Sequence, residues 1–221
     1  MPDEQNITHD YIIDFIRASL PQNEPRLQKL EQYAHENGVP IVQKEVAAFL
    51  KVLCQIHQPK NVLEIGAAIG YSALLMLSSL PDGARITTIE RDESMAAIAR
   101  ENIARFGCAD RIDVLSADAG VLLEALDGPY DMIFMDGAKA HYIYFLPHCI
   151  RLLRPGGVLV TDNILYGGMV ANRELLIRRK ITIVKRLKKY IDALCHDARL
   201  ETSLLSIGDG VSVSYKKPEG K

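Results

Sequence analysis

Hydrophobic residues follow two different spacings along the chain, and the change comes near residue 58. In residues 1–58, apolar side chains recur every three or four positions, which is the spacing of helices with one buried face. Three helices are predicted there, over residues 7–20, 24–37 and 43–57. We therefore expect an N-terminal helical layer over residues 1–58.

From residue 59 onward, short apolar runs typical of buried strands alternate with helical patterns. The runs predict strands over residues 61–66, 84–90, 111–116, 130–135 and 157–161. The patterns that follow them predict helices over residues 71–80, 92–106, 119–126, 140–153 and 173–196. Regular alternation of this kind favours a parallel sheet with helices on both faces.

The end of the chain departs from this alternation. The apolar runs Leu200–Ile207 and Val211–Tyr215 are separated only by Gly-Asp-Gly, a sequence that favours a tight turn. We expect a hairpin there, so the last strand should run antiparallel to the others. The prediction is a single domain, residues 1–221, in which an α/β core over residues 59–221 holds a seven-stranded, mostly parallel sheet.

Acidic residues mark the ends of the first three predicted strands, where open α/β sheets bind their ligands. Glu64 lies in the first turn, E-x-G-x-x-x-G, which matches neither the dinucleotide fingerprint nor the phosphate loop. Taken alone, this turn fits a plain strand-to-helix connection equally well. Glu90 ends the second strand, where a carboxylate can accept both hydroxyls of a ribose, and Asp118 follows the third. Together these acids favour a ligand with a cationic end and a ribose.

A second group of polar residues ends the fourth and fifth strands. Asp136 follows the fourth strand, and Asp162 and Asn163 follow the fifth. Two carboxylates and an amide oxygen on neighbouring strands suit a hard cation such as Mg²⁺. Lys139, three residues after Asp136, should face the same pocket and could accept a proton from a hydroxyl held there. The alternatives are a capped turn at Asp162 and an exposed helix start at Lys139.

Composition limits the remaining possibilities. The net charge is −2, so the chain as a whole predicts no polyanionic partner, and a nucleic-acid site would have to be local. The four cysteines are widely spaced with no C-x-x-C pair, which favours reduced thiols in the core over disulfides or a zinc site. The first ten residues are polar, and no apolar run approaches the length of a membrane span. We expect a soluble cytoplasmic protein without a membrane partner.

These motifs resemble those of the cation-dependent, S-adenosylmethionine-dependent O-methyltransferases, the family of catechol and caffeoyl-CoA O-methyltransferases. The resemblance implies a Rossmann-like class I methyltransferase fold, S-adenosylmethionine and Mg²⁺ (or a similar divalent cation) as cofactors, and a homodimer formed through the N-terminal helices. The cofactor-binding residues that it implies are Val42, Glu64, Gly66, Tyr71, Ser72, Glu90, Ala117, Asp118 and Asp136. The metal ligands that it implies are Asp136, Asp162 and Asn163, and the catalytic residues are Lys139 and Asp136. Gly137 and Ala138 depart from the family pattern, because aromatic residues stand at these positions in the family.

The segment 173–189 is strongly basic, with eight basic residues against the single acid Glu174. Within the helix predicted over residues 173–196, the expected buried stripe is Ile177, Ile181, Val184, Ile191 and Leu194. Arg178, Lys185 and Lys189 should share a second, basic face beside the metal ligands. A solvated helix face is the ordinary explanation of such a charge run, whereas one-sided positive charge beside an active site suits a phosphate backbone.

The same segment, RRKITIVKRLKKY, together with LSIGDGVSVS, is similar to bacterial family members that methylate 5-hydroxyuridine at the tRNA wobble position. This similarity implies a tRNA anticodon loop as partner and 5-methoxyuridine as product. The candidate tRNA contacts are Arg173, Arg178, Arg179, Lys185 and Lys189. The alternative acceptor is a small catechol or hydroxycinnamoyl compound with vicinal oxygens. Two other classes of protein are alternatives. An RNA-binding protein without activity would leave the metal-type residues unexplained, and a nicotinamide oxidoreductase would require G-x-G-x-x-G, which is absent.

Overall fold

The computed structural model describes residues 8–218. Residues 1–7 and 219–221, which belong to the predicted domain, lie outside the described part. The predicted N-terminal helices are confirmed as α1 (Asp10–Ser19), α2 (Pro25–Asn37) and α3 (Lys44–His57). A bidentate ion pair joins the first to the third, because Arg17 Nε and Nη2 donate to the buried Glu45 carboxylate at 2.8 and 3.0 Å.

The strand and helix alternation is also confirmed. The strands are β1 (Asn61–Ile65), β2 (Arg85–Glu90), β3 (Ile112–Ser116), β4 (Tyr130–Met135), β5 (Leu153–Thr161), β6 (Leu200–Leu205) and β7 (Val211–Lys216). The remaining α-helices are α4 (Tyr71–Leu77), α5 (Glu93–Arg105), α6 (Ala119–Ala125), α7 (Tyr142–Leu152) and α8 (Ile181–His196). Within residues 8–218 the strands form a seven-stranded sheet in the order β3-β2-β1-β4-β5-β7-β6. As predicted, β7 is antiparallel to its neighbours, β5 and β6.

The described chain divides into two compact units. The first unit is Asp10–Ala119, and the second contains Thr8, His9 and the residues from Gly120 onward. The single domain of residues 1–221 therefore stays a prediction.

Strand register places the acidic residues within each unit. In the first unit, Glu64 is paired with Thr88, and Glu90 is paired with Ser116. In the second unit, Met135 is paired with Thr161. Because the two strands are parallel and their last residues are paired, Asp136 and Asp162 leave the sheet side by side.

The prediction of one long helix over residues 173–196 is wrong for the first part of that range. Arg173–Leu175 and Arg178–Lys180 are single 3-10 turns separated by extended backbone, and α8 begins only at Ile181. Consecutive cations are unfavourable at a helix N-terminus, where the backbone carries partial positive charge. The buried stripe is also different, because Ile177 is 47% exposed. The buried residues of α8 are Val184, Leu187, Tyr190 and Leu194.

Two other boundaries differ from the prediction. The helix expected over residues 140–153 begins with a 3-10 turn, Lys139–His141, before α7. Strand β5 begins at Leu153 rather than at residue 157, because Leu153 pairs with Tyr130 and the register then shifts before Met132 pairs with Val158. The Pro155-Gly156-Gly157 sequence thus belongs to an irregular part of the strand and does not form a turn before it.

The four cysteines, all within residues 8–218, are free thiols. Cys54 and Cys149 are buried, as predicted for core thiols, but Cys108 is half-buried and Cys195 is exposed, so the core position was wrong for these two. No helix in this described stretch is both long and apolar enough to cross a bilayer.

Candidate active site

The first candidate site is built around a buried carboxyl group at the end of β1. Glu64 is fully buried, and its Oε2 accepts a hydrogen bond of 2.5 Å from the Thr88 hydroxyl on β2. Its Oε1 is buried without a hydrogen-bond partner among the described residues. Burial raises the pKa of Glu64 to about 7; Ser72 and Thr88 lower this pKa, and the charge of Glu90 raises it. A buried carboxyl with one unbonded oxygen fits a ligand that brings a positive charge or a donor.

The turn after β1 closes over the end of β2. The amides of Gly66 and Ala67 both donate to the Ile89 carbonyl, at 2.9 and 3.2 Å, and Ala68 N donates to Glu90 Oε2 at 2.9 Å. Gly70 adopts the left-handed φ of 81°, and a Cβ there would touch Ala99 at 3.4 Å. That distance is an ordinary van der Waals contact, so the left-handed φ rather than close packing favours glycine at the start of α4.

The carboxylate of Glu90 is fixed by the backbone on both sides. Besides the bond from Ala68, its Oε1 accepts from Asp92 N at 2.9 Å. Each carboxylate oxygen has a second acceptor position, so both remain able to accept a ribose hydroxyl. Ala117 N donates to the Glu90 carbonyl at 3.0 Å, which brings the end of β3 beside it, and Asp118 is exposed there. These positions fit the ribose and purine ends of the cofactor.

Val42 and Ser72 are buried in the same unit, at 6% and 7% exposure. Val42 lies immediately before the N-cap of α3, and Ser72 lies in the first turn of α4. Their cofactor-binding roles stay predictions.

Tyr71 has a different environment from that expected of a cofactor ligand. Its hydroxyl donates to Glu31 Oε1 at 2.7 Å, and Asn23 Nδ2 donates to the same carboxylate oxygen at 2.7 Å. Lys51 Nζ donates to Asn23 Oδ1 at 3.3 Å. The hydroxyl thus ties the start of α4 to the N-terminal helices, and burial, followed by the Glu31 contact, raises the Tyr71 pKa far above its ordinary value. The predicted cofactor contact of Tyr71 would have to come from other atoms of the residue.

The second candidate site is the acidic pair at the ends of β4 and β5. Asn163 Nδ2 donates to Asp136 Oδ1 at 2.5 Å, and Asn163 N donates to Asp162 Oδ1 at 2.6 Å. Asp162 is buried at 3% exposure. Burial raises its pKa well above the ordinary value and the negative charge of Asp136 raises it further, whereas the Asn163 amide and the positive charge of Lys139 lower it. The structure therefore brings Asp136, Asp162, Asn163 and Lys139 together, as the sequence predicted.

The donor set of this pair fits a divalent cation. Within residues 8–218 there is no group of three or more histidine, cysteine, aspartate or glutamate side chains arranged to hold a metal. The predicted ligands are two carboxylates and an amide, and two neighbouring negative charges, of which that of Asp162 is buried, are stabilised by a cation. Asn163 would ligate through Oδ1, which requires its amide to rotate, because Nδ2 now faces Asp136.

Lys139 and a tyrosine that sequence analysis missed adjoin this pair. Lys139 Nζ lies 5.7 Å from the centre of the Tyr166 ring, and Lys180 Nζ lies 5.2 Å from the same centre. Tyr166 has a left-handed φ of 49°, which is rare for an aromatic residue. Nothing in the amino-acid pattern around residue 166 signals this conformation, so only the structure identifies the residue.

The basic segment contacts the same region. Arg186 Nη1 donates to the Ala140 carbonyl at 3.2 Å, and its guanidinium lies 5.3 Å from the centre of the Tyr144 ring. Of the predicted basic face, Lys185 and Lys189 are exposed one turn apart on α8. Arg178 lies on the preceding 3-10 turn, so the predicted shared face was wrong for this residue. The exposed residues of the two 3-10 turns are Arg173, Arg178 and Arg179.

Comparison with known proteins agrees with this arrangement. Residues 19–217 match the model of the O-methyltransferase family. A catechol O-methyltransferase of Niastella koreensis is 38% identical over 141 residues, which are 61% of this chain and 64% of that enzyme. A caffeoyl-CoA O-methyltransferase of Stellaria longipes is 27% identical over 216 residues, 92% of this chain and 88% of that enzyme.

Solved structures agree as well. The O-methyltransferase of Bacillus cereus, crystallised in complex with SAH, aligns with a TM-score of 0.83 at 27% identity, covering 94% of this chain and 97% of that one. The Rossmann-like methyltransferase fold that the sequence predicted is therefore confirmed. Because the family model matches nearly the whole described chain, the protein belongs to the O-methyltransferase family.

Proposed function

We propose that this protein transfers the methyl group of S-adenosylmethionine to a hydroxyl held by a divalent cation, and that the acceptor is 5-hydroxyuridine in the anticodon loop of tRNA. Methyl transfer to oxygen is the activity of the family to which the chain belongs. The observation that supports the metal-assisted form is the buried Asp162 beside the half-buried Asp136, with the positive charge of Lys139 near enough to act on Asp162. Without a cation, the repulsion between the two carboxylates would lower the stability of the folded protein.

The donor is bound by residues of the first unit. The unbonded Oε1 of Glu64 receives the ammonium group of the methionine end, and Glu90 accepts the ribose hydroxyls. Ala117 and Asp118 lie at the adenine side, and Val42 closes over the cofactor. S-adenosylmethionine, when bound, supplies a methyl group on a sulfonium that transfers readily to an oxygen nucleophile.

The acceptor is bound by residues of the second unit. Asp136, Asp162 and Asn163 hold the cation, which when bound fixes the acceptor oxygen and lowers the pKa of its hydroxyl. Lys139 is the proposed acceptor of the hydroxyl proton at Nζ, because this side chain is close enough to act electrostatically on Asp162. Orienting two bound reactants can contribute about 7–11 kcal/mol to such a reaction. Positioning is therefore expected to be the larger part of catalysis.

The basic segment favours a nucleic-acid acceptor. Lys180 shares the Tyr166 ring with Lys139, and Arg186 contacts Ala140 next to Lys139, so the cationic segment adjoins the proposed base. In 5-hydroxyuridine, the 5-hydroxyl and the O4 carbonyl are vicinal oxygens, the arrangement that one cation can hold. RNA bases in loops are recognised unstacked and singly, which suits an acidic pair of side chains flanked by cations.

The second candidate acceptor is a small catechol or hydroxycinnamoyl compound. The names of the relatives in Niastella and Stellaria favour it. In that case the basic segment would be solvated or would bind the phosphates of a CoA-type substrate.

The decisive experiment offers both acceptors to the same enzyme. Purified protein, labelled S-adenosylmethionine and Mg²⁺ are incubated with tRNA bearing 5-hydroxyuridine and, separately, with a catechol. We expect the tRNA to be labelled when Mg²⁺ is present and to remain unlabelled when the metal is chelated. Label in the catechol alone would overturn the tRNA acceptor while leaving methyl transfer intact.

Charge reversal tests the basic segment separately. The double variant Lys185→Glu with Lys189→Glu should weaken tRNA methylation and reduce the salt dependence of tRNA binding, the slope of log affinity against log salt falling by about 0.7–0.9 for each phosphate that is no longer neutralised. Its matched control is Lys29→Glu with Arg85→Glu, two exposed cations of the first unit. Binding of S-adenosylmethionine should be unchanged in both. Equal loss of tRNA methylation in both pairs would show that net charge, rather than this segment, is responsible.

We also propose a homodimer through the N-terminal helices. Exposed apolar side chains on α1 and α3 support it, namely Tyr11, Phe15, Val52 and Ile56, at 70%, 71%, 53% and 76% exposure. Phe15→Glu should shift the mass measured by light scattering to that of a monomer. Val121→Glu, at an equally exposed apolar position of α6, should leave the mass unchanged.

A further inference from the structure

The loop after β5 adopts an unusual backbone conformation. Asn163 and Tyr166 have φ of 62° and 49°, and Gly167 and Gly168 follow with φ of 60° and 74°. At Tyr166 the left-handed region costs about 1–2 kcal/mol, whereas asparagine adopts it more readily. Such residues persist only where their surroundings hold them, and they concentrate at functional sites. This loop, which carries one proposed metal ligand, must therefore be restrained by a neighbouring segment.

The turn between β6 and β7 supplies the restraint. Ile164 N donates to the Gly210 carbonyl and Leu165 N donates to the Asp209 carbonyl, both at 3.0 Å. Gly167 N donates to the side-chain Oδ1 of Asp209 at 2.5 Å. Three successive hydrogen bonds thus bind the loop to the turn, and Asp209 accepts two of them.

The turn and the loop are also packed without spare room. A Cβ on Gly210 would lie 2.5 Å from Leu165 Cγ and 2.8 Å from its Cδ1. Gly210 itself has a φ of 84° and donates to the Ile207 carbonyl at 2.9 Å. Close approach at this point fixes the distance between the turn and the backbone that follows Asn163.

The Asp209 carboxylate also lies near enough to the acidic pair to act on it electrostatically. Its negative charge contributes to the raised pKa of Asp162 and of Tyr142. A third negative charge there is unfavourable in the absence of a cation, so its presence needs a compensating role. The hydrogen bond to Gly167 provides one.

We propose that Asp209 is a positioning residue, whose carboxylate and carbonyl oxygens clamp the 163–167 loop and thereby orient Asn163 and Tyr166 toward the acceptor site. The proposal rests on the proposed function, in which Asn163 is a metal ligand. It assigns Asp209 no contact with substrate or cation. The property of Asp209 that holds the loop is its hydrogen bond to Gly167, not the charge of its carboxylate.

Two substitutions at Asp209 separate the hydrogen bond from the charge. Asp209→Asn keeps an oxygen that can accept from Gly167 N, whereas Asp209→Ala removes it. Mn²⁺ binding to the purified full chain, followed by electron paramagnetic resonance, should weaken about 10–100-fold in Asp209→Ala and only slightly in Asp209→Asn. The affinity for S-adenosylmethionine should stay the same in both.

Gly210→Ala provides an independent test that alters no charge. The added methyl group must displace Leu165, so Mn²⁺ binding should weaken as in Asp209→Ala. Asp197→Ala, a turn aspartate before β6 that binds Arg199, is the control and should bind Mn²⁺ normally. An Asp209→Asn variant as weak as Asp209→Ala would overturn the proposal, because charge would then be the active property.

Amide hydrogen exchange separates this proposal from the proposed function. The Gly167 amide should be protected in the wild type and in Asp209→Asn and should exchange faster in Asp209→Ala, with or without metal. If Mn²⁺ does not bind the wild type, the metal mechanism fails while the exchange result still decides the clamp. Unchanged Gly167 exchange in Asp209→Ala would overturn the clamp whatever the metal does.

Discussion

Glu64 in the first unit and Asp162 in the second are both buried carboxyl groups at strand ends, but different causes raise their pKa values. For Glu64 the main cause is burial, and hydroxyl donors offset part of it. For Asp162, burial is joined by the negative charges of Asp136 and Asp209. One oxygen of Glu64, Oε1, therefore lacks a hydrogen-bond partner, whereas Asp162 belongs to a site with excess negative charge.

This difference indicates two kinds of cation. One unbonded carboxylate oxygen at a buried position is matched by a singly charged organic group such as an ammonium. Adjacent carboxylates are matched by a compact divalent ion, which they hold with oxygen ligands. Substitution at each site should consequently affect one ligand and spare the other.

The largest effect is expected at the acidic pair. Asp136→Asn should lower methyl transfer by about a thousandfold or more, since metal stabilisation is worth several kcal/mol and each 1.36 kcal/mol is tenfold in rate. Without metal, the same variant should be as stable as the wild type or more so, because it removes a like charge beside Asp162. Single-turnover rates and urea unfolding in chelator measure the two quantities. Normal turnover in Asp136→Asn would exclude the metal mechanism.

A smaller effect is expected at Glu64. Glu64→Gln should weaken S-adenosylmethionine about 10–100-fold, because a hydrogen bond to a charged group contributes about 1.5–3 kcal/mol. Mn²⁺ affinity should not change. Isothermal titration calorimetry measures the affinity for S-adenosylmethionine. The matched control is Glu93→Gln, which changes an exposed acid at the start of α5. A variant that lost metal and cofactor together would remove the distinction between the two sites.

The protonation of Glu64 gives a pH dependence of stability. Its pKa is raised from 4.5 to about 7 in the folded protein, so the folded state binds the proton more tightly than the unfolded state. The resulting stabilisation is complete below pH 4.5 and is lost as the pH rises through about 7, a loss of about 3 kcal/mol. Urea unfolding of the cofactor-free protein at pH 5 and pH 8 should show this loss, and Glu64→Gln should lack it. If Glu64→Gln loses as much free energy of unfolding between pH 5 and pH 8 as the wild type, other groups cause the pH dependence.

The smallest effect is expected at Tyr71. Tyr71→Phe removes the hydrogen bond to Glu31 and should lower the free energy of unfolding by about 1 kcal/mol. Affinity for S-adenosylmethionine should change by less than about twofold, because the hydroxyl faces the N-terminal helices. Tyr33→Phe, at a more exposed position of α2, controls for the loss of a phenol. A large loss of cofactor affinity in Tyr71→Phe would show that this hydroxyl contacts the cofactor.

Sequence pattern was sufficient to predict the strand ends and the residues that they carry. Apolar runs locate β4 and β5, and pairing of parallel strands then brings Asp136 and Asp162 together without further information. The same reasoning placed Glu64 and Glu90 at neighbouring strand ends. Local propensity and sheet topology are enough for such residues.

The remaining features depend on tertiary contacts that leave no periodic signal. The Tyr71 hydroxyl binds Glu31, forty positions earlier, and the Asp209 clamp reaches Gly167, forty-two positions earlier. The start of α8 was misplaced because apolar residues before Ile181 continue a helical spacing that the consecutive cations interrupt. Left-handed backbone at Tyr166 lies in a loop that is hydrogen-bonded to the turn between β6 and β7, and no preference of tyrosine itself predicts it.

The position of β7 between β5 and β6 has a consequence for synthesis. On the ribosome, β5 emerges well before β7, and at about 5–20 residues per second the interval lasts on the order of seconds. During that time the apolar residues Val158–Val160 form an open sheet edge, which invites pairing with other nascent chains. Translation that stalls between β6 and β7 should therefore yield an aggregation-prone chain that requires a chaperone until the last strand is inserted.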